Sequence, residues 1–121
     1  MKKFAILIYQ DEAESDSLSP EARGQRMSAY GAYRQALIDA GVFVAGAPLV
    51  RSNTATTLRI REGQRSVQDG PYADTKEQFG GFFMITAADQ DAALEWANRC
   101  PGAHHGVLEV REVWDMPGLE H

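Results

Sequence analysis

Apolar positions recur along the chain with two different spacings, which predict alternating strands and helices. Both alternating sets of side chains are apolar over residues 4–9, as is typical of a strand covered on both faces. Ser19, Pro20 and Glu21 then supply an N-cap hydroxyl, a proline suited to the first helical position and an acid near the positive end of the helix dipole. A helix is therefore predicted to begin there, after an acidic loop over residues 11–17.

The first predicted helix has one apolar stripe and a defined end. The stripe consists of Met27, Tyr30, Tyr33, Leu37 and Ala40. Gly41 follows at the position where a left-handed cap is expected. Gly24 and Gly31 each weaken an isolated helix by about 1 kcal/mol relative to alanine, so packing against the rest of the domain is expected to hold this segment.

The middle of the chain predicts a strand and a hairpin. Residues 42–50 are strand-like, with an interruption at 46–48. Residues 56–61 and 65–68 have the pattern of two hairpin arms that turn at 62–64.

The last third predicts a strand, a second helix and a closing strand. Residues 79–86 are aromatic and β-rich, and the pair Gly80-Gly81 indicates a bulge or a close backbone approach. The second helix is capped by Asp89 and is expected to end at Pro101, because the residue before a proline avoids the helical region. Residues 107–114 are expected to form the closing strand.

This order of elements predicts an α+β fold on the ferredoxin-like β-α-β-β-α-β plan, with an inserted hairpin. In that plan, an antiparallel sheet carries two helices on one face. The other face would expose aromatic and aliphatic side chains, and such a patch is usually covered by a second sheet. We therefore predict a homodimer.

Composition narrows the classes of partner. The 121 residues are 44% hydrophobic and 24% charged, as in one soluble domain, to which we assign residues 1–118. Residues 119–121 are interpreted as the remnant of an expression tag. A net charge of −5 argues against nucleic-acid binding, since phosphate contacts need clustered lysine and arginine.

The sequence also argues against a membrane partner, an internal disulfide and a cofactor. Apolar runs are too short for a membrane span, and the apolar start lacks a cleavage site, so we predict no membrane partner and a cytoplasmic location. The single cysteine, Cys100, excludes an internal disulfide and is interpreted as a small buried residue. No cofactor is predicted, because the chain has no phosphate loop, dinucleotide fingerprint or nucleophile elbow.

The string DGPYADTKEQFGGFFMI resembles the DGPF-domain branch of the YCII-related family, together with KFAILIYQDEA, AGVFVAGAPL and DAALEWANRCP. The resemblance runs in the same order from about Lys3 to Val113. It implies a dimeric α+β barrel of ferredoxin-like protomers, a fold shared with small-molecule isomerases, lyases and monooxygenases. Some members of this branch are found beside extracytoplasmic-function sigma factors, which implies a regulatory setting.

The segment Asp69, Gly70, Pro71 and Tyr72 has two interpretations. Proline presets its own φ angle, glycine tolerates unusual backbone angles and Asp69 can bond to the following backbone, so a tight turn that aims Tyr72 is one of them. The resemblance favours the other, in which the turn and Tyr72 form the edge of a pocket.

Neighbouring polar residues extend that candidate site. Thr75 and Lys76, with the adjacent glutamate, could orient a polar ligand, or they could be a loop cap and a solvated charge pair. Arg59 and Arg61 alternate onto one face of a strand, where two guanidinium groups would suit a carboxylate. The alternative is an exposed hairpin face that is kept soluble by its charge.

Catalytic candidates come from the resemblance and from the turn. Relatives are inferred to use a His–Asp pair, and the matching positions here are Tyr30 and Asp39. Tyrosine is a poor general base at neutral pH, and a spacing of nine residues puts the two on opposite sides of a helix. Asp69 is the third candidate. The adjacent His104 and His105 have no recognisable third ligand, so no metal site is predicted.

Two functions therefore remain open. The first is a small-molecule cleft, with activity of lyase or isomerase type, lined by Tyr9, Tyr30, Asp69, Tyr72, Lys76 and Arg59 or Arg61. The second is a non-catalytic module that binds a protein partner or a signal molecule in a sigma-factor circuit. A deep, polar-floored pocket bordered by Tyr72 would favour the first, and a filled pocket beside an exposed apolar groove would favour the second.

Overall fold

A four-stranded antiparallel sheet lies at the centre of the computed structural model, which describes residues 1–116. The strands are β1 (Lys2–Gln10), β2 (Phe43–Pro48), β3 (Thr56–Arg61), β4 (Gln64–Asp69), β5 (Gln78–Ala87) and β6 (Gly106–Glu112). The helices are α1 (Glu12–Asp16), α2 (Pro20–Asp39), α3 (Gln90–Asn98) and α4 (Gly102–His105), with a 3₁₀ turn at Ser52–Thr54. The main sheet has the order β2-β5-β1-β6, and β3 and β4 pair only with each other. The predicted tag remnant at 119–121 lies outside the described residues.

One face of the main sheet is buried beneath α2 and α3. The register places Phe4 opposite Ile85 and Ile6 opposite Phe83, so their side chains share this face. The helices complete the buried cluster with Tyr33, Leu37, Ala93, Ala97 and, just after α3, Cys100. Tyr33 packs edge-on against Phe83, and its hydroxyl donates to the carbonyl oxygen of Trp96 at 2.8 Å. The phenol is therefore satisfied inside an otherwise apolar core.

The opposite face of the main sheet carries a second set of apolar side chains, which we call the open face. Its apolar members are Ala5, Leu7, Tyr9, Ala45, Ala47, Phe79, Phe82, Met84 and Val107, and the charged Glu109 and Arg111 lie on the same face along β6. The apolar side chains at its centre are half-buried, whereas their neighbours toward the helices are buried. The prediction of a strand with apolar residues on both faces is confirmed for β1.

The predicted caps of α2 are confirmed. The Ser19 hydroxyl accepts from the N–H of Ala22 at 3.1 Å. At the other end, Gly41 has a φ of 72°, and its N–H donates to the carbonyl of Ile38. The next N–H, from Val42, donates to the carbonyl of Leu37, which completes the pattern of a Schellman cap.

The predicted stripe of α2 is wrong at both ends. Met27 is exposed, and so is Ala40, which lies outside the helix as its C-cap. The buried residues of α2 are Tyr33 and Leu37. A 20-residue helix is about 30 Å long, so its first half extends beyond the core.

Several predicted boundaries also need correction. The segment 11–17 is not a plain loop, because the Asp11 carboxylate caps α1 by accepting from the N–H groups of Ala13 and Glu14. The second helix ends at Asn98 rather than at Pro101, and the loop predicted to carry the two histidines forms α4. The closing strand ends at Glu112, before the predicted end at 114.

The hairpin and the bulge are confirmed. β3 and β4 are in register from Thr56 opposite Asp69 to Arg61 opposite Gln64, which shortens the predicted turn by one residue. In β5, the register against β1 shifts at the Gly80-Gly81 pair. A Cβ atom on Gly81 would lie 2.6 Å from the carbonyl oxygen of Ala47, so β2 and β5 can approach closely only at a glycine.

Replacement of Gly106 by alanine is expected to destabilise the fold by about 2 kcal/mol or more, because overpacked atoms displace backbone. A Cβ atom there would collide with the backbone carbonyl of Tyr9, on the paired strand β1. The matched control is Gly24→Ala in α2, where nothing lies within 4 Å of the new methyl group. That change should stabilise the protein by about 0.5–1 kcal/mol, since alanine is the better helix former. Urea unfolding of both variants measures the difference, and equal effects would contradict the close approach at β6.

Candidate functional site

A cleft of about 670 Å³ opens where the end of the main sheet meets the base of the β3–β4 hairpin. Its apolar walls are formed by Tyr9, Leu49, Ala55, Pro71, Tyr72, Ala73, Phe79 and Val107. Its polar groups are Ser52, Thr56, Thr57, Thr75, Glu77 and Gln78. Three strands of the main sheet, the hairpin base and the segment after Asp69 therefore converge on one space.

The sheet side of the cleft is set by strand register. Tyr9 at the end of β1 lies opposite Phe79 of β5 and Val107 of β6. The rings of Tyr9 and Phe79 are 5.5 Å apart and tilted by 57°. The Tyr9 hydroxyl lies 3.4 Å from a carboxylate oxygen of Glu109, two residues further along β6. An aromatic wall thus carries a phenol next to a carboxylate.

The turn after β4 forms the facing wall. Gly70 has a φ of 99°, and its N–H donates to the carbonyl of Ala55 at 2.7 Å. The Thr57 hydroxyl donates to the Gly70 carbonyl at 2.8 Å, which fixes the turn to β3. Pro71 and Tyr72 then line the cleft, and the Tyr72 ring remains 76% exposed. This segment is both a turn and part of the wall.

The ligand-binding residues predicted from the sequence divide into two groups. Those that line the cleft are Tyr9, Pro71, Tyr72 and Thr75, and Gly70 shapes the turn that holds two of them. Those outside the lining are Arg59, Arg61, Asp69 and Lys76. The guanidinium carbon of Arg59 lies 5.0 Å from the ring centroid of Tyr72, and Arg61 donates to the carbonyl of Ile60. Asp69 is the exposed last residue of β4, and Lys76 is exposed.

Tyr30 and Asp39, the positions that match the His–Asp pair of the relatives, lie in the helix layer, away from the cleft. The Tyr30 hydroxyl lies close to Gly102, and burial raises the pKa of this phenol to about 12. Asp39 is exposed and accepts from the side chain of Gln35 at 2.8 Å. The two residues belong to one helix and are separated by about 13.5 Å along its axis. They are not brought together within one chain.

Histidine and cysteine side chains occupy the same layer. Burial, with a smaller contribution from the Arg26 charge, lowers the pKa of His105. Burial raises the pKa of Cys100, which disfavours the reactive thiolate. Within residues 1–116, histidine, cysteine and acidic side chains form no group of three that would hold a metal ion.

Sequence reasoning missed a set of polar contacts that fix the cleft walls, which we call the α1 brace. The Glu12 carboxylate accepts from the backbone N–H of Ser52 at 2.8 Å and from its hydroxyl at 2.6 Å. The Glu12 N–H donates to the side-chain oxygen of Gln78 at 3.0 Å, and the Gln78 amide donates to the Thr75 carbonyl at 2.7 Å. Ser52, Thr75 and Gln78 all line the cleft. The acidic composition of residues 11–16 was the only local signal of this element.

The brace is anchored to α2 by a two-pronged ion pair. Arg26 donates to the two carboxylate oxygens of Glu14 at 2.6 and 2.9 Å. A second ion pair joins Arg51 and Asp16. The hydrogen bond from Arg26 holds the pKa of Glu14 below its ordinary value of 4.5. The helix layer and the cleft are therefore connected through α1.

The fold and the cleft define a class of α+β domain with a four-stranded antiparallel sheet, a separate two-stranded hairpin and an aromatic cleft between them. Residues 2–117 match the YCII-related domain, and the chain therefore belongs to the YCII-related family. It is 37% identical over 112 residues to an uncharacterized protein of Rhizobium meliloti (strain 1021), covering 91% of this chain and 90% of the relative.

A comparison with solved structures found the 5-chloro-2-hydroxyhydroquinone dehydrochlorinase of Burkholderia phenoliruptrix AC1100, in complex with 2,5-dihydroxybenzoquinone. The match has a TM-score of 0.49 and 18% sequence identity, and covers 93% of each chain. At this level the likeness carries no inference about the present chain.

None of the helices in residues 1–116 combines the length and apolarity that a membrane crossing requires.

The change Glu12→Ala is expected to lower the unfolding free energy by about 1–3 kcal/mol, because the N–H and hydroxyl of Ser52 lose their partner. The matched control, Glu95→Ala on the exposed face of α3, should change it by less than about 0.5 kcal/mol. Chemical denaturation measures both values. An effect of Glu12→Ala no larger than that of the control would show that the brace does not hold the cleft.

Stability should also respond to pH through Glu14. Because the folded-state pKa of Glu14 is lowered, its contribution is present above the unfolded value of 4.5 and is lost as the pH falls through the folded value. Unfolding free energies of the wild type and Arg26→Gln, measured from about pH 6 to pH 3, should converge at the acidic end. If the difference in unfolding free energy between the two proteins stays constant over this pH range, the stabilising role assigned to the Glu14–Arg26 pair is contradicted.

Proposed function

We propose that this protein binds a small, uncharged aromatic molecule with hydroxyl groups in the cleft, and acts on it by chemistry of lyase or isomerase type. The observation that carries the proposal is the pairing of aromatic walls with a few polar groups in one open space. Tyr9, Tyr72 and Phe79 offer ring faces and edges, while the Glu77 carboxylate can accept from a ligand hydroxyl. Pockets of this composition typically bind small molecules.

The charges around the cleft favour a phenol over a carboxylate. Among the described residues, the cleft lining contains no lysine or arginine. The Arg59 guanidinium lies over the Tyr72 ring and Arg59 does not line the cleft, while Arg51 is paired with Asp16. A carboxylate in the cleft would lie near Glu77 without a cation to offset the repulsion. Of the anionic and phenolic ligands expected from the sequence, we therefore retain the phenolic class.

Proton transfer is the chemistry that the wall residues support. Tyr9 and Glu77 line the cleft, and a carboxylate oxygen of Glu109, which is outside the lining, lies 3.4 Å from the Tyr9 hydroxyl. A carboxylate beside a bound phenol can accept its proton, and the Tyr9 hydroxyl can donate one to a developing oxyanion. These residues replace Tyr30 and Asp39 as our candidates, because the cleft does not contain that pair.

We further propose that the chain belongs to the DGPF branch, has a ferredoxin-like topology and acts as a homodimer in the cytoplasm. The DGPYADTKE string supports the branch, and the strand order β2-β5-β1-β6 supports the topology. The half-buried aromatic and aliphatic side chains of the open face support a second copy packed against it. The single cysteine is compatible with a reducing compartment.

A thermal-shift series tests the binding proposal. Hydroxylated benzenes should raise the melting temperature of the wild type, and ring-matched benzoates should not, because a ligand of the native state stabilises it by mass action. The variant Tyr72→Ala should weaken phenol binding about three- to tenfold, as expected for loss of one aromatic contact. Lys76→Ala is the matched control, since this exposed residue lies outside the lining.

Three results would contradict the proposal. Benzoates that bind in a Lys76-dependent way would restore the anionic ligand class. Phenol binding that is unchanged in Tyr72→Ala would place the site elsewhere. If neither ligand class shifts the melting temperature, the non-catalytic interaction module becomes the better explanation.

A further inference from the structure

The β3–β4 hairpin exposes an apolar face that nothing in its own chain covers, within the described residues. Leu58 lies opposite Val67, and Ile60 is two residues beyond Leu58, so the three side chains are neighbours on one face. Leu58 is 55% exposed, Ile60 59% and Val67 51%. An isolated two-stranded hairpin is marginally stable in water. A contact that buries these three side chains would therefore stabilise the hairpin.

The hairpin region also has a charge opposite to that of the rest of the protein. Residues 56–69, which form the hairpin, contain three arginines and two acidic residues, a net charge of +1, whereas the whole chain carries −5. The remainder of the chain therefore carries −6. Arg65 lies opposite Ile60 and so belongs to the same face as the exposed aliphatic side chains. This face combines apolar residues with one cation.

A complementary surface lies at the β6 border of the open face. Val107 is 52% exposed there, and Glu109 lies two residues further on the same face. The border thus combines an exposed aliphatic side chain with an anion, and Arg111 follows two residues beyond Glu109 on the same face. Each hairpin strand has six residues and is about 20 Å long, whereas the four-stranded main sheet is about 14 Å wide. The hairpin is therefore long enough to reach across the β6 edge of such a sheet. Leu58, Ile60 and Val67 remain exposed in the single chain, so the hairpin does not cover the border of its own sheet.

We propose that the β3–β4 hairpin is an arm that docks on the β6 border of a second copy of this chain and closes that copy's cleft. Val107 is both part of this border and part of the cleft wall. The arm's apolar face packs on Val107 of the partner subunit, and Arg65 pairs with Glu109 of the partner subunit. Under two-fold symmetry the contact is reciprocal, so each copy completes the site of the other. The role of the arm in closing the cleft depends on the proposed function, whereas its role in assembly does not.

The oligomeric state tests the docking directly. Sedimentation equilibrium should show a dimer for the wild type and at least a hundredfold weaker association for the double variant Leu58→Ser, Ile60→Ser. The matched control is Arg61→Ser, which changes the opposite face of the same strand and should leave the dimer intact. Since the substituted side chains are exposed in the single chain, unchanged far-ultraviolet circular dichroism should show that each variant is folded.

A charge exchange tests the register of the contact. Arg65→Glu should weaken the dimer, and the combination of Arg65→Glu with Glu109→Arg should restore it. Failure of the combination to restore association, or a wild type that is monomeric, would overturn the docking. A monomer that binds vesicles of phosphatidylserine through its arm would overturn it in favour of a membrane surface.

The two proposals fail in different ways. If the arm variants dissociate and phenols bind neither form, the docking stands and the proposed function fails. If phenols bind the wild-type dimer at least tenfold more tightly than the dissociated variant, closure of the cleft by the arm is supported. Equal affinities for the two forms would overturn that closure while leaving the binding proposal intact.

Discussion

The helices cover only one face of the main sheet, and the location of the cleft depends on this asymmetry. Strand β1 alternates between the two faces, with Phe4, Ile6 and Ile8 toward the helices and Leu7 and Tyr9 toward the open face. The residues toward the helices form the core that holds the fold together. The residues on the other side are thereby available for a ligand or for another subunit. The cleft lies where this second face meets the hairpin.

The α1 brace explains how a cleft between separate elements keeps its shape. Ser52 precedes the hairpin, and Gln78 begins β5, so no strand pairing joins these two walls. Glu12 contacts both, and Glu14 holds the same short helix to α2 through Arg26. A helix of five residues has little stability of its own, so these tertiary contacts determine where it lies. The walls of the cleft are therefore positioned from the helix layer.

Local chemistry made part of this structure predictable, and tertiary contacts made the rest unpredictable. The caps of α2, the hairpin and the bulge at the Gly80-Gly81 pair depend on residues close in sequence, and all were predicted. The brace joins residues 40 and 66 positions apart, which no periodic pattern reveals. Tyr72 was predicted to edge a pocket from the family resemblance, and it lines the cleft. Lys76 was predicted either to orient a polar ligand or to belong to a solvated charge pair, and it is exposed outside the cleft lining.

The arginines near the cleft bear on the class of ligand that we propose. The guanidinium of Arg59 lies over the Tyr72 ring, 5.0 Å from its centroid, and Arg59 is outside the cleft lining, while Arg51 is paired with Asp16. A carboxylate in the cleft could recruit Arg59 only if the guanidinium left the ring that forms the wall, so the ligand would dismantle part of its own site. A neutral hydroxylated ring requires no such exchange, because Tyr72 keeps its cation on one face and can offer the other to the ligand. The cation then stiffens the wall without adding charge to the cleft.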